Sequence, residues 1–296
     1  ALDLLPDDPL LEARRNILVS PFWKTGDVTE RIAQELYARL AELPALPAKF
    51  GFAIDTGNER LLATNSADIR LEKTNTGLIL RADGNANGRL VDETEAVSMA
   101  IELAEWFVET GGTGSRRMAA HLKSKTLPSE WATSPAPTNN TAISVGPSHR
   151  GAIYGAPFGQ IEAAELANLV KTSGCRALRV TPWRLFITED ATPVPTDAFV
   201  TEPKDPLLNV SACPGSPLCS SATVETRALA KSLATKSGEK LHVSGCSKGC
   251  AHPRISDLTF VGNATRFDLV KNGLPWDEPS LTGLTEKDLL DRIGDF

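Results

Sequence analysis

The chain has 296 residues, of which 41% are apolar and 23% charged, a balance typical of soluble globular proteins. Its formal net charge of −6 excludes a general electrostatic attraction to nucleic acid or to an anionic membrane surface. No apolar run is long enough to span a bilayer, and residues 1–20 lack the basic and apolar regions of a secretory signal peptide. We therefore expect a cytoplasmic protein of one large or two smaller domains that binds neither nucleic acid nor membrane.

The first 127 residues predict alternating helices and strands. Residues 27–43 carry apolar side chains at helical spacing and begin at a capping residue, Asp27 or Thr29. Asp92 and Glu95 have the spacing of a capping box and predict the start of a second helix. Strands are predicted at residues 51–54, 69–71 and 77–81.

Residues 128–142 are rich in Pro, Ser, Thr and Asn, which is typical of a linker. Beyond them, apolar periodicity and flanking Gly or Pro predict further helices and strands. The predicted helices are residues 160–173, 220–236 and 284–293. The predicted strands are residues 142–145, 151–154, 177–181, 185–188, 207–211, 240–244, 258–261 and 266–270.

Two stretches of the chain repeat the same order of predicted elements. A strand near Asn16 leads through a helix to a strand that begins at Lys49, and a strand near Asn209 leads through a helix to one that begins at Lys240. The Asn and the Lys are 33 residues apart in the first stretch and 31 in the second. Two pseudo-equivalent halves explain this order better than coincidence between two α/β units.

Four of the five cysteines fall into two close pairs, Cys213-x5-Cys219 and Cys246-x3-Cys250. Four thiolates are the ligand set of a cubane [4Fe-4S] cluster, one for each iron. Structural zinc is an alternative, but its usual Cys-x2-Cys spacing is absent. Disulfides or unconnected core cysteines also stay open, although disulfides need an oxidising compartment. Cys175, the fifth cysteine, is expected to be a small buried side chain.

Each cysteine pair follows the end of a predicted strand. Loops in this position lie at a sheet edge, where neighbouring strands can share a cofactor. Cys219 directly precedes the helix predicted from Ser220, and the free N–H groups at a helix start favour the negative charge of a thiolate. The sequence therefore predicts a cluster at one edge of the second half's sheet, with Cys219 at a helix N-terminus.

These motifs resemble those of the sulfite and nitrite reductase superfamily, in which a [4Fe-4S] cluster lies beside a sirohaem and the last cysteine bridges cluster and haem iron. Residues 151–160 and 178–184 look like the ferredoxin-like half-domain of that superfamily. More narrowly, the Thr-Pro-Trp-Arg sequence at 181–184 together with residues 245–253 is similar to the precorrin-3B synthase family of aerobic cobalamin biosynthesis.

The resemblance implies an α+β fold of two pseudo-symmetric nitrite/sulfite-reductase-like α/β units with a ferredoxin-like half-domain between them. It implies a first unit at residues 1–127, a linker at 128–142, the half-domain at 143–200 and a second unit with the cluster cysteines at 201–296. Members of the superfamily begin with another such half-domain. The chain is therefore expected to be a fragment, or to pair with a second chain that supplies this half-domain.

The narrower resemblance implies hydroxylation of precorrin-3A at C20 by O2, with formation of a γ-lactone. It implies a [4Fe-4S] cluster on Cys213, Cys219, Cys246 and Cys250, a mononuclear non-haem iron and an electron donor. The four histidines form no spaced ligand set, so we assign no ligand to that iron and no catalytic residue. Two alternatives stay open: a sirohaem-dependent sulfite or nitrite reductase, and a non-catalytic fragment or subunit that carries the cluster.

Basic residues near these motifs are candidates to bind the carboxylates of a tetrapyrrole. Lys49 matches the first lysine of a Lys-Phe-Lys strand motif that faces the tetrapyrrole in the reductases, and Gly51 stands where the second lysine would be. This loss of positive charge argues against sulfite reduction. The other candidate substrate-binding residues are Arg179, Arg184, Lys248 and Arg254.

Overall fold

A computed structural model describes residues 8–296 of the chain. The chain divides into two compact units, Ala1–Ile143 and Ser144–Phe296. The predicted linker at residues 128–142 lies within the first unit, and the second unit contains both the predicted half-domain and the cysteine pairs. The boundary predicted at residue 200 stays a prediction.

The first unit packs helices on one face of a sheet. Its helices are α1 Pro9–Arg14, α2 Val28–Ala38, α3 Ala96–Glu109, α4 Gly112–Ser115 and α5 Met118–His121. Its strands are β1 Ile17–Val19, β2 Phe52–Asp55, β3 Ile69–Thr74, β4 Gly77–Ala82, β5 Asn87–Val91 and β6 Ser134–Pro135. These strands form one sheet in chain order. Alternate strand residues such as Ile54 and Leu71 form a core with Ile32 and Leu36 of α2 and Phe107 of α3.

The second unit contains two sheets. Its helices are α6 Ala163–Ser173, α7 Arg227–Ala234 and α8 Glu286–Arg292. Strands β7 Gly146–Ser148, β8 Gly151–Gly155, β9 Leu178–Val180 and β10 Leu185–Glu189 form a four-stranded sheet in the order β7-β8-β10-β9. Strands β11 Val210–Ala212, β12 Leu241–Ser244, β13 Ser256–Asn263, β14 Arg266–Gly273 and β15 Leu281–Leu284 form a five-stranded sheet in chain order.

Helix α2 confirms the first predicted helix, although it is shorter. The Asp27 carboxylate accepts a hydrogen bond from the Glu30 N–H at 2.8 Å, which caps the helix start. Ile32 and Leu36 are buried on the predicted apolar face. The helix ends at Ala38, and Leu40–Glu42 continues as a single 3₁₀ turn before the prolines that follow.

Helix α3 starts later than its predicted capping box, and that box is wrong. The Glu95 N–H donates to the Asp92 carbonyl at 3.1 Å, so the two residues close a turn ahead of the helix. Glu95 is the residue at the N-cap, and it makes no side-chain capping bond. The carboxylate of Glu93, which lies between Asp92 and Glu95, forms an ion pair with Arg31. The helix begins at Ala96 because its burial against the sheet starts there.

The two units repeat one strand topology, which confirms the internal repeat. Strands β1, β2 and β3 run parallel, and β4 and β5 follow antiparallel. Strands β11 to β15 pair in the same sequence of directions. The registers agree as well: Phe52 pairs with Ile69 and Leu241 with Leu258, 17 residues along the chain in both cases. The predicted fold of two pseudo-symmetric α/β units is therefore confirmed.

The register corrects one equivalence drawn from the sequence. Lys240 directly precedes Leu241, so its counterpart is Gly51 and not Lys49. The hydrogen bonds agree, because the Gly51 N–H donates to the Asp68 carboxylate at 3.0 Å and the Lys240 N–H donates to the Asp257 carboxylate at 2.9 Å. In the first unit, the position equivalent to Lys240 is therefore Gly51, which lies two residues later in the chain than the matching of Lys49 with Lys240 suggests.

The four-stranded sheet agrees with the half-domain of the predicted fold, whose bounds at residues 143–200 stay a prediction. All of its strand pairs are antiparallel, and α6 connects β8 to β9. Tyr154, Phe186 and Phe199 pack together with ring centroids 4.9 to 6.5 Å apart and form the centre of its core. Helix α6 ends where Gly174 adopts a left-handed conformation, with φ of 67°.

Within residues 8–296, no helix has both the length and the apolar character that crossing a bilayer would need.

Candidate metal and substrate site

Both cysteine pairs lie at the same edge of the five-stranded sheet. Strands β11 and β12 are parallel neighbours, with Val210 opposite Leu241. Cys213 follows directly after β11, and Cys246 comes two residues after β12. Because parallel neighbours end at one sheet edge, the loops that carry the two pairs begin side by side.

Hydrogen bonds join the two cysteine loops. The Gly245 N–H donates to the Cys213 sulfur at 3.2 Å, and the Thr223 N–H donates to the Gly245 carbonyl at 3.1 Å. The Lys248 ammonium donates to the Ser221 hydroxyl at 2.9 Å. A backbone N–H aimed at a cysteine sulfur is an interaction that stabilises thiolate charge and tunes iron–sulfur centres.

The close approach of the loops depends on two glycines. A Cβ atom on Gly245 would lie 2.6 Å from the Cβ of Ala222, and one on Gly215 would lie 2.7 Å from the Thr226 hydroxyl oxygen. Gly215 also has a φ of 69°, which favours glycine. The Thr226 hydroxyl donates to the Cys213 carbonyl at 2.5 Å, so the backbone of this cysteine is fixed on the side of α7.

The predicted position of Cys219 at a helix N-terminus is wrong. Helix α7 begins at Arg227, and residues 220–226 form turns. The Ala222 N–H donates to the Cys219 carbonyl at 3.0 Å, and the Ser216 N–H donates to the Val224 carbonyl at 2.8 Å. These bonds fold the chain back toward the first cysteine, and the helix dipole therefore does not act on Cys219.

The thiols differ in exposure. Cys213 is 8% exposed, Cys219 and Cys246 are half-buried, and Cys250 is exposed. Cys175 is half-buried, and therefore more exposed than expected, and it is not part of either cysteine loop. All five are free thiols, so the disulfide alternative finds no support in the described residues.

The thiols fit a [4Fe-4S] cluster in kind and in the position of their loops. Four sulfur donors on two adjoining loops, with an N–H directed at one of them, are the chemistry that such a cluster needs. However, among residues 8–296 no three His, Cys, Asp or Glu side chains come together in a group that could hold a metal ion. The four ligands, and any ligands of a mononuclear iron, stay predictions.

Two of the predicted substrate-binding arginines make contacts inside the second unit. Arg184 donates to the carbonyls of Val210 and Leu208, at 2.7 and 3.4 Å, and burial lowers its pKa. Arg179 forms an ion pair with Glu189 at 2.6 Å. The hydrogen bond from Arg179 outweighs burial and holds the pKa of Glu189 below its usual value. Their role in substrate binding stays a prediction.

The three remaining basic candidates are exposed. Lys248 lies between Cys246 and Cys250 in the second unit, and Arg254 follows that cysteine pair. Lys49 belongs to the first unit and precedes β2, where its carbonyl accepts a hydrogen bond from the Asn16 side chain at 3.4 Å. These side chains are accessible to a ligand, and their substrate role also stays a prediction.

A histidine pair beside the cysteine loops was not singled out from the sequence. His242 lies on β12 with 0% exposure, and its ring centroid is 5.9 Å from that of His252. Burial and then His252 lower the pKa of His242 to about 4, so its imidazole is neutral. Neither of its ring nitrogens has a hydrogen-bond partner among the described residues. The only signal in the sequence is a polar residue within a buried strand.

A separate groove of about 990 Å³ lies in the second unit between α6 and α7. Phe158, Asn168 and Thr172 line one part of it, and Arg227 and Lys231 line another. It contains none of the predicted site residues.

No protein-family model matches the chain. A precorrin-3B synthase of Sinorhizobium sp is 28% identical over 286 residues, covering 86% of this chain and 62% of that protein. Chloroplastic ferredoxin–nitrite reductases of Betula pendula and Spinacia oleracea are 29% and 27% identical, each over 40% of this chain and over 24% and 23% of their own length.

The NirA protein of Mycobacterium tuberculosis has a similar fold, with a TM-score of 0.63 over 94% of this chain and 66% of that chain, at 18% identity. This chain spans about three fifths of the length of the precorrin-3B synthase and about a quarter of the nitrite reductases. The comparisons confirm the resemblance to precorrin-3B synthase and to the sulfite and nitrite reductase superfamily that the sequence indicates.

Proposed function

We propose that the chain catalyses, or forms the larger part of a protein that catalyses, the precorrin-3B synthase reaction of aerobic cobalamin biosynthesis. One observation carries the proposal. The likeness to a precorrin-3B synthase extends over 86% of this chain, whereas the likeness to the nitrite reductases covers 40%. The reaction would place one oxygen atom of O2 at C20 of precorrin-3A and release the other as water, using two electrons and two protons from a donor.

The cysteine loops would provide the redox centre. Cys213, Cys219, Cys246 and Cys250 would hold a [4Fe-4S] cluster, which would pass electrons from the donor to the oxygen chemistry. The N–H of Gly245 supports this assignment because it already donates to the Cys213 sulfur. A mononuclear non-haem iron is part of the proposal, without assigned ligands.

Basic side chains would orient the substrate. Precorrin-3A is a polycarboxylate, and guanidinium and ammonium groups bind carboxylates by charge-assisted hydrogen bonds. Lys248, between the two cysteines of the second pair, and Arg254, four residues after that pair, are both exposed, which supports a role for them. Lys49, Arg179 and Arg184 complete the proposed set.

We also propose a partner chain that supplies a further half-domain to the first unit. A largely apolar groove of about 480 Å³ lies there beside β1, lined by Ile17, Val19, Ala33 and Tyr37. In the second unit the half-domain contacts the equivalent strand, β11, through Arg184. The repeat therefore supports a second four-stranded half-domain as the occupant of the groove. Co-expression with a candidate half-domain chain, followed by size-exclusion chromatography, would test this, and a Tyr37→Glu variant should abolish the complex.

The function can be tested by anaerobic purification, reconstitution with iron and sulfide, and incubation with precorrin-3A, O2 and a reductant. We expect four iron and four sulfide ions per chain in the cluster, and a product that has gained one oxygen atom by mass spectrometry. A protein that takes up a cluster but gives no product, even with the partner half-domain, would support the non-catalytic alternative.

The nitrite reductase relatives favour one other function, a sirohaem-dependent reductase. Pigment extraction would distinguish the two functions. A reductase retains sirohaem as a cofactor, whereas the proposed enzyme binds a tetrapyrrole only as its substrate. A purified chain with haem absorption and nitrite- or sulfite-dependent oxidation of a reduced dye would overturn the precorrin-3B synthase proposal.

A further inference from the structure

The turn between β9 and β10 fixes the backbone of Arg184. The Thr181 N–H and hydroxyl both donate to the Leu185 carbonyl, at 3.1 and 2.7 Å, and close the turn. The Ala156 N–H donates to the Arg184 carbonyl at 2.8 Å. Arg184 itself has a φ of 60°, a left-handed conformation that is uncommon for a residue with a side chain. Such a conformation persists where surrounding contacts enforce it.

From this turn the Arg184 guanidinium reaches the end strand of the five-stranded sheet. Its two terminal nitrogens donate to the carbonyls of Val210 and Leu208, at 2.7 and 3.4 Å. Val210 is the first residue of β11, which pairs with β12, and Leu208 belongs to the 3₁₀ turn Pro206–Asn209 that leads into this strand. Arg184 therefore fixes the start of β11 and the turn that precedes it.

The strand held in this way runs directly into the first cysteine. Val210 is only three residues before Cys213 in the chain. Beyond the cysteine, the Thr226 hydroxyl donates to the Cys213 carbonyl at 2.5 Å. Cys213 is thus fixed by Arg184 on the side of the strand and by Thr226 on the side of the loop.

We propose that Arg184 is a positioning residue for Cys213, through which the half-domain sets the place of the first cluster ligand. The proposal deepens the proposed function and rests on it for the role of Cys213. This role is separate from the substrate contact proposed above and compatible with it, because each terminal nitrogen of the guanidinium donates to one main-chain carbonyl and keeps a second N–H. A lysine has N–H donors on one nitrogen only and lacks the planar fork of the guanidinium, so it is less suited to hold both carbonyls in this geometry.

Site-specific alkylation of the full chain without metal tests the proposal. Wild type, Arg184→Lys and Arg184→Met are treated with iodoacetamide, and each cysteine is followed by mass spectrometry. We expect alkylation of Cys213 about tenfold faster in Arg184→Met, and by a smaller factor in Arg184→Lys, because the strand end opens more often without these bonds. The exposed Cys250 is the internal reference and should react at an unchanged rate.

Arg227→Lys is the matched control. Arg227 is also half-buried in the second unit and also bonds to a residue of the half-domain, since it donates to the Gln160 side chain at 2.5 Å. This bond does not involve β11, so the Arg227→Lys substitution should leave the alkylation rate of Cys213 unchanged. Equal Cys213 rates in wild type and both Arg184 variants, or an equal increase in Arg227→Lys, would overturn the proposal. An increase in the Cys213 alkylation rate that is fully explained by a lower free energy of global unfolding, measured in urea, would also overturn the proposal.

The same variants separate this proposal from the proposed function. After reconstitution, loss of the cluster to a chelator should be faster in the Arg184 variants than in wild type. If the wild-type chain takes up no iron and sulfide, the proposed function fails, whereas the alkylation rates still decide whether Arg184 positions Cys213.

Discussion

Gly51 shows how one residue distinguishes the two halves of the chain. A Cβ atom at this position would lie 2.9 Å from the Asn16 carbonyl oxygen, so the first unit has no room there for a lysine. The equivalent position in the second unit is Lys240, which is exposed. The lysine missing from the first unit's motif is therefore excluded by backbone packing, and this weakens the case for a small-anion reductase.

Substitution of single cysteines tests the ligand assignment. We expect Cys213→Ser and Cys250→Ser to abolish the cluster, because a hydroxyl is a poor replacement for a thiolate on iron. Cys175→Ser should keep it, since Cys175 lies outside both cysteine loops. Iron and sulfide analysis after reconstitution measures the result. A full cluster in Cys250→Ser would contradict the assignment.

The buried His242 should make stability depend on pH. Its pKa is about 4 in the folded chain and near the ordinary value of 6.5 when unfolded, so below pH 6.5 the unfolded state binds a proton that the folded state does not. Stability contributed by the neutral form is therefore present above this range and lost as the pH falls toward 4. Between pH 7 and pH 5 the loss is about 2 kcal/mol.

A His242→Gln variant should lack this part of the pH dependence, as measured by urea unfolding at the two pH values. His149→Gln is the control, because His149 is exposed. A variant whose unfolding free energy falls as steeply as that of wild type would show that His242 does not titrate as described.

At the scale of elements, the sequence predicts best where burial and local signals agree. Helix α2 and the central strands β2, β3, β12 and β13 lie close to their predicted positions because apolar periodicity and turn residues coincide there. Helix α7 was predicted seven residues too long at its start, since hydrogen bonds from residues 216 and 222 fold that stretch into turns. Such contacts between distant loops leave no local pattern. Strands β5, β6 and β15 are not predicted, because they are largely exposed and lack an apolar run. The strand predicted at residues 142–145 is wrong, since β7 comes after it, at Gly146–Ser148.

Helix α8 offers a direct test of local stabilisation. Its capping box is complete: the Thr285 hydroxyl accepts from the Asp288 N–H at 3.1 Å, and the Asp288 carboxylate accepts from the Thr285 N–H at 2.8 Å. Thr285→Ala should lower the free energy of unfolding by about 1 kcal/mol, because a helix N–H loses its partner. Thr282→Ala, at an exposed position of β15, should change it by less than about 0.5 kcal/mol. Similar values for the two variants in urea unfolding would contradict the role of the cap.

At the scale of the whole molecule, the fold and the family resemblance can be predicted from the sequence, whereas the candidate site can be predicted only in part. The order of the predicted strands and helices and the spacing of the cysteines indicate the resemblance to the superfamily, because both can be read from the sequence. The contacts of Arg184 and the burial of His242 were not predictable, since they depend on which faces meet after folding. The position of each thiol is likewise set by loop packing and not by its spacing along the chain.

The two units should behave as separate folding units. The first contains a core around Ile54 and Phe107, and the second contains cores around Phe260 and around Tyr154. We expect residues 144–296 produced alone to unfold in one cooperative transition and to take up iron and sulfide. Circular dichroism during urea unfolding and metal analysis would measure this. A chain of residues 144–296 without cooperative unfolding would show that it depends on the first unit.

The matched strand registers indicate that the two units of this chain are copies of one ancestral segment. Ser20 follows β1 in the same way that Cys213 follows β11, and Ser20 is only 2% exposed. Duplication and fusion of such a segment explain why Ser20 and Cys213 occupy equivalent positions. The two copies now differ there, with an oxygen side chain in one and a sulfur side chain in the other. Gain or loss of the proposed cluster would then need substitutions at one edge of a sheet only, with the strand topology of both halves kept.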